Sequence, residues 1–315
     1  MRSIDNGIDR SGAPLHGFIR RIACMRHAVA LIGAVTLFAS AVAAAQPAAN
    51  YQGIWWAAPA GSQPGWGINI AHQGDTIFAT WFTYQGRFNL PQWLSMTATR
   101  TSDNEYSGNL VLTNGSPYST IPYNNGAFTS APFVGSATLK FDSPTTGTLI
   151  YTPNVVEVRQ PITLMVFGPT PTCVWGALAD LSKATNYTDL WWASPPGSES
   201  GWGISLSHQG NVIFAVWFTY DAAHAADWMS ATAFQTGPGT YQGVLYRTTG
   251  PNWGTEPFDS GLVSYTDAGA VSLTFQDGNN ASFTYSVNVN GGAGQSIQVK
   301  EITRQVFRPP GTACH

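Results

Sequence analysis

Thr76-Ile77-Phe78-Ala79-Thr80-Trp81-Phe82-Thr83-Tyr84 is β-branched or aromatic at every position except Ala79. Such side chains pack well on a pleated surface, so the stretch reads as a strand. Residues 66–72 read as a second strand. Gln73-Gly74-Asp75 between them supplies a hairpin turn, because glycine takes the positive φ that tight turns need. The same hairpin returns later in the chain, ending Trp217-Phe218-Thr219-Tyr220.

That return is part of a longer repeat. Residues 51–84 align without gaps on 187–220, with 21 identities in 34 positions. Trp55-Trp56 matches Trp191-Trp192, Gly65-Trp66-Gly67 matches Gly201-Trp202-Gly203, and His72-Gln73-Gly74 matches His208-Gln209-Gly210. Weaker matches continue through Trp93 and Trp228, Phe141 and Phe275, and Val166-Phe167 and Val306-Phe307. The expected organisation is one module over 51–173, a linker over 174–186 and a second module over 187–314. Within the first module, strands are expected at 53–57, 66–72, 76–84, 92–99, 105–113, 134–141, 147–152 and 160–167. The only helix-like run is Trp175–Leu181. An all-β meander of about eight strands removes its edges by closing into an up-and-down barrel. Two such tandem antiparallel barrels are the expected fold, with β-sandwiches as the alternative.

The amino-terminal residues read as a targeting segment. Arg20, Arg21 and Arg26 precede a small, apolar run from Ala28 to Ala45, which ends Ala43-Ala44-Ala45 before Gln46-Pro47. A basic start, a short apolar stretch and small residues at the end describe a secretory signal peptide over residues 1–45. Met25 offers an alternative start. A transmembrane anchor is the competing reading, but the run is short and rich in Ala. Cys24 precedes the apolar run, which is the wrong place for a lipoprotein anchor.

Five Arg and two Asp lie within residues 1–45, leaving nine basic and fifteen acidic residues beyond them. No basic patch survives, which argues against a nucleic-acid partner. No later segment is apolar for long enough to span a membrane as a helix. Secretion or periplasmic residence is expected. Cys173 and Cys314 then form an even pair in an oxidising compartment, which predicts a disulfide.

Gly53-Ile54-Trp55 resembles the G-x-W first strand of the lipocalin and avidin superfamily. That resemblance implies a basic residue in the last strand covering the tryptophan, a place for Arg159 or Arg304. The second module departs from it, since Asp189-Leu190-Trp191 lacks the glycine. The whole repeat also resembles a family of uncharacterised secreted proteobacterial proteins carrying WW…GWG…HQG…FAxWFTY. That resemblance covers nearly all of the chain beyond residue 45 and implies no activity.

Adjacent strand residues point to opposite faces, so Trp55 and Trp56 cannot share one core, nor can Trp81 and Phe82. One aromatic set fills the module. The other either packs module against module or meets a ligand. Aromatic rings among Asn, Gln, Ser and Thr suit a small neutral molecule or a glycan. Gly65 and Gly67 bare the backbone around Trp66, which permits close approach. Trp66, Trp202, His72 and His208 are therefore the candidate contact residues of a binding module. The histidines have a simpler reading too, as hairpin residues hydrogen-bonded to backbone.

No zinc-binding spacing accompanies the histidines, so neither a metal nor a cofactor is expected. No acid of the first module falls on an acid of the second; Asp75 faces Asn211, and Glu199 faces Gln63. A duplicated carboxylate pair for acid–base work is thus missing. A single-site hydrolase using His208, His224, Asp221 and Asp227 stays open, as does a structural or interaction protein of the cell envelope. An open, aromatic-lined barrel mouth would favour the binding module.

Overall fold

Apolar residues at every second strand position curl each module around its own interior. The first barrel comprises β1 (Gly53–Ala57), β2 (Gly67–Gln73), β3 (Thr76–Gln85), β4 (Leu90–Ser102), β5 (Glu105–Val111), β8 (Gly135–Phe141), β9 (Thr146–Tyr151) and β10 (Val158–Leu164). Two short strands, β6 (Thr113–Asn114) and β7 (Thr129–Ser130), pair within the long β5–β8 connection. Strand β1 pairs with both β2 and β10, which closes the ring. The second barrel runs β12 (Asp189–Ala193), β13 (Gly203–Gln209), β14 (Val212–Tyr220), β15 (Ala226–Gly237), β16 (Thr240–Thr249), β17 (Ser264–Phe275), β18 (Asn280–Val289) and β19 (Gly294–Arg304), closed by β12 against β19. Both are antiparallel eight-stranded meanders, and neither is a sandwich.

This computed structural model describes residues 49–130, 134–152, 156–253, 255, 257–289 and 294–315. The expected signal peptide lies outside them. Among the described residues, no helix is long and apolar enough to cross a membrane. The run 175–181 is not helical; a single 3-10 turn at Leu181–Lys183 follows it, capped by the Asp180 carboxylate accepting from Ser182 N.

The barrel interiors are aromatic. Trp55 and Trp191 are fully buried, and Tyr51 stacks on Phe141 as Tyr187 stacks on Phe275, with ring centroids 3.6 and 3.5 Å apart. Arg304, at the end of β19, lies over the Trp191 ring, 5.0 Å from its centroid, and pairs with Asp189 at 3.0 Å, both side chains fully buried. So the basic residue covers the tryptophan in the copy without the glycine. Arg159 instead pairs with Glu157 in solvent.

The outward aromatics of β3, β4, β14 and β15 are buried between the modules. Trp93 Nε1 donates to Thr219 O, and Trp228 Nε1 donates to Thr83 O, both at 2.9 Å. Phe82 meets Trp228 edge-on at 4.9 Å, and Trp93 meets Phe218 at 5.7 Å. Residue i of one module contacts j of the other, and j contacts i, as in an isologous dimer interface. One buried apolar cluster runs from the first barrel into Val216, Phe218, Tyr220 and Trp228 of the second.

Two further exchanges follow the same reciprocity. The chain leaving β10 crosses to the second module, where Gln209 Oε1 accepts from Phe167 N and Gly168 N and its Nε2 donates to Met165 O, each at 2.9 Å. The chain leaving β19 crosses to the first module, where Gln73 grips Phe307 N, Arg308 N and Gln305 O at the same distance. This is why β10 stops at Leu164 rather than running to 167. The loops after β5 and β16 also change sides. Gly115 N donates to His224 O and Gly250 N to Asn89 O, both at 3.2 Å. His224 and Asn89 hold positive φ at matching turn positions. A Cβ on Gly115 would stand 2.2 Å from the Tyr220 ring, and one on Gly250 would stand 2.3 Å from Tyr84, so only glycine fits there.

Cys173 and Cys314 are disulfide-bonded across β11 (Cys173–Trp175) and β20 (Thr312–Cys314), so the ends of the two modules are paired as well as bridged. With a sequence separation of 141 between the cysteines, the chain-entropy model assigns the bridge about 5 kcal/mol. Cys314→Ala is expected to lower the urea midpoint accordingly, and the chain without residues 1–45 should show no free thiol when denatured without reductant. Trp228→Ala is expected to cost about 3–5 kcal/mol, as large-to-small core substitutions do. Because the cluster is shared, it should lower the melting temperature of both barrels together in calorimetry.

Candidate functional site

The four residues singled out from the repeat do not come together. Trp66 precedes β2 and His72 is near its far end, so they stand at opposite ends of the barrel, about 20 Å apart at strand rise. Trp202 and His208 are separated in the same way along β13.

Both histidines are buried and fully engaged. His72 Nδ1 accepts from Tyr51 N at 3.0 Å, while Nε2 lies 3.0 Å from Gly74 O and 3.1 Å from the Tyr106 hydroxyl. A ring that accepts through Nδ1 and donates through Nε2 is the neutral tautomer. His208 repeats the arrangement with Tyr187 N, Gly210 O and Tyr241. Burial pulls His72 down from 6.5 to about 4, against the weaker upward pull of its bond to Gly74 O. Burial lowers His208 as well. These are the hairpin histidines of the simpler reading.

The tryptophans stand at the barrel mouths, and the mouths are plugged. Trp66 and Trp202 each keep only 7% exposure, and their indole N–H groups donate to Gln63 Oε1 at 3.1 Å and Glu199 Oε2 at 2.8 Å. Trp253, on the loop after β16, fills the first mouth against Trp81 at 5.4 Å. Tyr118, on the loop after β5, fills the second against Trp217 at 5.8 Å, and Tyr285 Oη donates to its carbonyl at 2.6 Å. The spaces left are about 20 and 10 Å³, the size of a water molecule. Open aromatic mouths were expected of a binding module, and the exchanged loops close both.

Of the hydrolase residues, His224, Asp221 and Asp227 lie near one another at one end of the barrel, and His208 is apart from them. His208 is at the end of β13, His224 is in the turn at the other end of β14, Asp221 caps that turn through Ala223 N and Ala225 N, and Asp227 pairs with Arg247 at 2.7 Å. Among the described residues, no three His, Cys, Asp or Glu side chains are grouped to hold a metal.

One aromatic-walled space lies between the modules. A cleft of about 360 Å³ opens between the outer faces of β3 and β4 and that of β12. The first module contributes Phe78, Thr80, Trp93, Ser95 and Thr97, with Phe128 and Ser130 from the exchanged loop. The second contributes Trp192, Trp202, Phe218 and Gln305. None of the residues lining it is charged. The Trp192 indole N–H and the Gln305 side-chain oxygen are both buried without a partner. Trp192 pairs with Thr303, and Gln305 N donates to Leu190 O, so the two side chains are diagonal neighbours on one outer face. Of the candidate tryptophans and histidines, only Trp202 lines this cleft. Trp192 was legible only as the outward member of a Trp-Trp pair, and Gln305 had no signal at all.

A second cleft, about 290 Å³, lies beside the disulfide. Its amides are already engaged: Asn50 with His72 O, Gln52 with Thr188 O and Gln209 with Met165 O. Comparison with protein-family models, curated proteins and solved structures finds no match.

The histidine geometry has a consequence for stability. Between about pH 6.5 and 4 the unfolded chain binds a proton at His72 that the folded chain refuses. Stability is therefore full above that window and falls as pH drops through it, by roughly 3 kcal/mol for a shift of this size. Urea midpoints at pH 7 and pH 4.5 should differ measurably less in His72→Gln than in the wild type.

Proposed function

We propose that the chain is an exported, non-catalytic binding protein that holds a small neutral ligand or glycan in the cleft between its modules. The observation that carries this reading is the pair of unpartnered groups, the Trp192 N–H and the Gln305 oxygen, buried behind the wall of an uncharged cleft that both residues line. Leaving a buried donor or acceptor unpaired costs about 1–3 kcal/mol each. A ligand that offers both an acceptor and a donor removes both costs. Ligand pockets combine aromatic walls with a few such polar groups, and the volume falls near the lower end of their range of roughly 300–1,000 Å³. Phe78, Trp93 and Phe218 supply the apolar wall; Thr80, Ser95 and Ser130 supply hydroxyls. A neutral saccharide has matching apolar faces and hydroxyl edges. The disulfide fits an oxidising compartment, and the expected signal peptide supplies the route to it.

A second reading, a structural or interaction protein of the envelope, draws on a different observation. Phe82, Tyr84, Trp93, Phe218, Tyr220 and Trp228 are occupied between the modules, not presented to a partner.

Titration of intrinsic tryptophan fluorescence with cellobiose and with N,N′-diacetylchitobiose separates the two. Saturable quenching that weakens about tenfold or more in Trp192→Phe, which keeps the apolar ring face and removes the N–H, supports the binding protein. Flat titrations with both sugars and with a wider neutral glycan panel overturn it in favour of the second reading.

A further inference from the structure

The two copies do not offer the same cleft. Strand register fixes the correspondence: Trp56 pairs with Thr163 as Trp192 pairs with Thr303, and Met165 N donates to Ile54 O as Gln305 N donates to Leu190 O. Met165 therefore stands where Gln305 does. Likewise Ser95 pairs with Val111 as Ser230 pairs with Tyr246, and Thr113 pairs with Ser130 as Thr248 pairs with Tyr265. Asn69 opposes Thr80 as Ser205 opposes Val216.

Around Trp192 the wall thus carries Thr80, Val111, Ser130 and Gln305. Around Trp56 the corresponding residues are Val216, Tyr246, Tyr265 and Met165. A hydroxyl and an amide have become a valine and a thioether, and a valine and a serine have become two tyrosines that meet edge-on at 5.7 Å. The Trp56 indole N–H is also buried without a partner, and Met165 stands where the Gln305 amide would be.

We infer that the chain holds one binding cleft rather than two, and that Gln305 sets its specificity by requiring a ligand that donates a hydrogen bond. The inference rests on the proposed function. Both residues line the same space; the Gln305 oxygen and the Trp192 N–H are shut off behind its wall and do not bond each other, so a ligand seated there reaches the oxygen through a rotation of the Gln305 amide. Thioether sulfur is a much weaker acceptor than an amide oxygen. The copy with Met165 therefore loses the polar half of the recognition while keeping the ring.

Isothermal titration of the full chain with cellobiose and N,N′-diacetylchitobiose tests this. The expected stoichiometry is one sugar per chain. Gln305→Met takes its residue from the matching position of the first module, and the grip of Gln73 on the Gln305 carbonyl is through backbone and survives. It should fold with an unchanged melting temperature and bind about tenfold to a hundredfold more weakly. Gln305→Glu keeps an acceptor at that position and should bind better than Gln305→Met. The double exchange V111Y/S130Y, also copied from the other module, should abolish binding. Two sugars per chain, or an isotherm unchanged in Gln305→Met, overturns the inference while leaving the proposed function in place. No heat with either sugar in the wild type, at concentrations where fluorescence also stays flat, overturns both.

Discussion

Each barrel carries Phe and Tyr on the outward face of β3 or β14, with a Trp beside them on β4 or β15, and no barrel of this size can hide them in its own interior. Strand geometry forbids it, since the neighbouring residues already fill the inside. The structure resolves the conflict by facing the two copies, so that the outer aromatics of one become the core of the other. The buried indole N–H groups of Trp93 and Trp228 need acceptors, and each finds a backbone carbonyl of the opposite module. The crossing tails held by Gln73 and Gln209, the exchanged loops and the terminal disulfide all bind across the same boundary. The two modules are in this sense one folding unit with two barrels.

Reciprocity explains which residues the copies share. Gln73 and Gln209, Gly115 and Gly250, Tyr84 and Tyr220 do the same task from opposite sides, so a change in one half is felt in the other. It also closes the barrels. A loop that must cross to its neighbour arrives at the neighbour's mouth, and Trp253 and Tyr118 occupy the space that a calyx would give to a ligand. An uncharged cleft is left at the seam, between the outer faces of the two modules. There the copies differ, since residues that are not needed by the shared contacts are free to vary.

The charged residues follow that division. Asp189 and Arg304 replace Gly53 and Leu164, Asp227 with Arg247 stands where Gln92 and Leu112 do, and Glu199 with Lys300 stands where Gln63 and Gln160 do, so the second barrel carries three ion pairs without a counterpart. Burial pushes the Asp189 carboxyl up while Arg304 draws it back, and Arg304 also donates to Thr188 O, Asn186 O and Gly278 O. A buried pair held by so many bonds fixes geometry more than it adds net stability.

Local patterning was sufficient for the all-β class, the duplication, the hairpins, the closure into barrels and the cysteine pair. Period-two alternation and turn glycines act over a few residues, and an even cysteine count needs no geometry. The same patterning showed that Trp81 and Phe82 must face different environments. It could not say that Phe82 faces Trp228, because that contact spans modules far apart in sequence. Nor could it separate Trp66 from His72: both belong to one matched segment, and only the length of β2 sets them at opposite ends. His72 looked like a site residue because it repeats, as Gln73 beside it does. They repeat because a barrel end and a crossing tail each need them twice. Trp192 and Gln305 acquire meaning only when β12 faces β3 and β4 across the seam, a juxtaposition decided by how the two barrels pack.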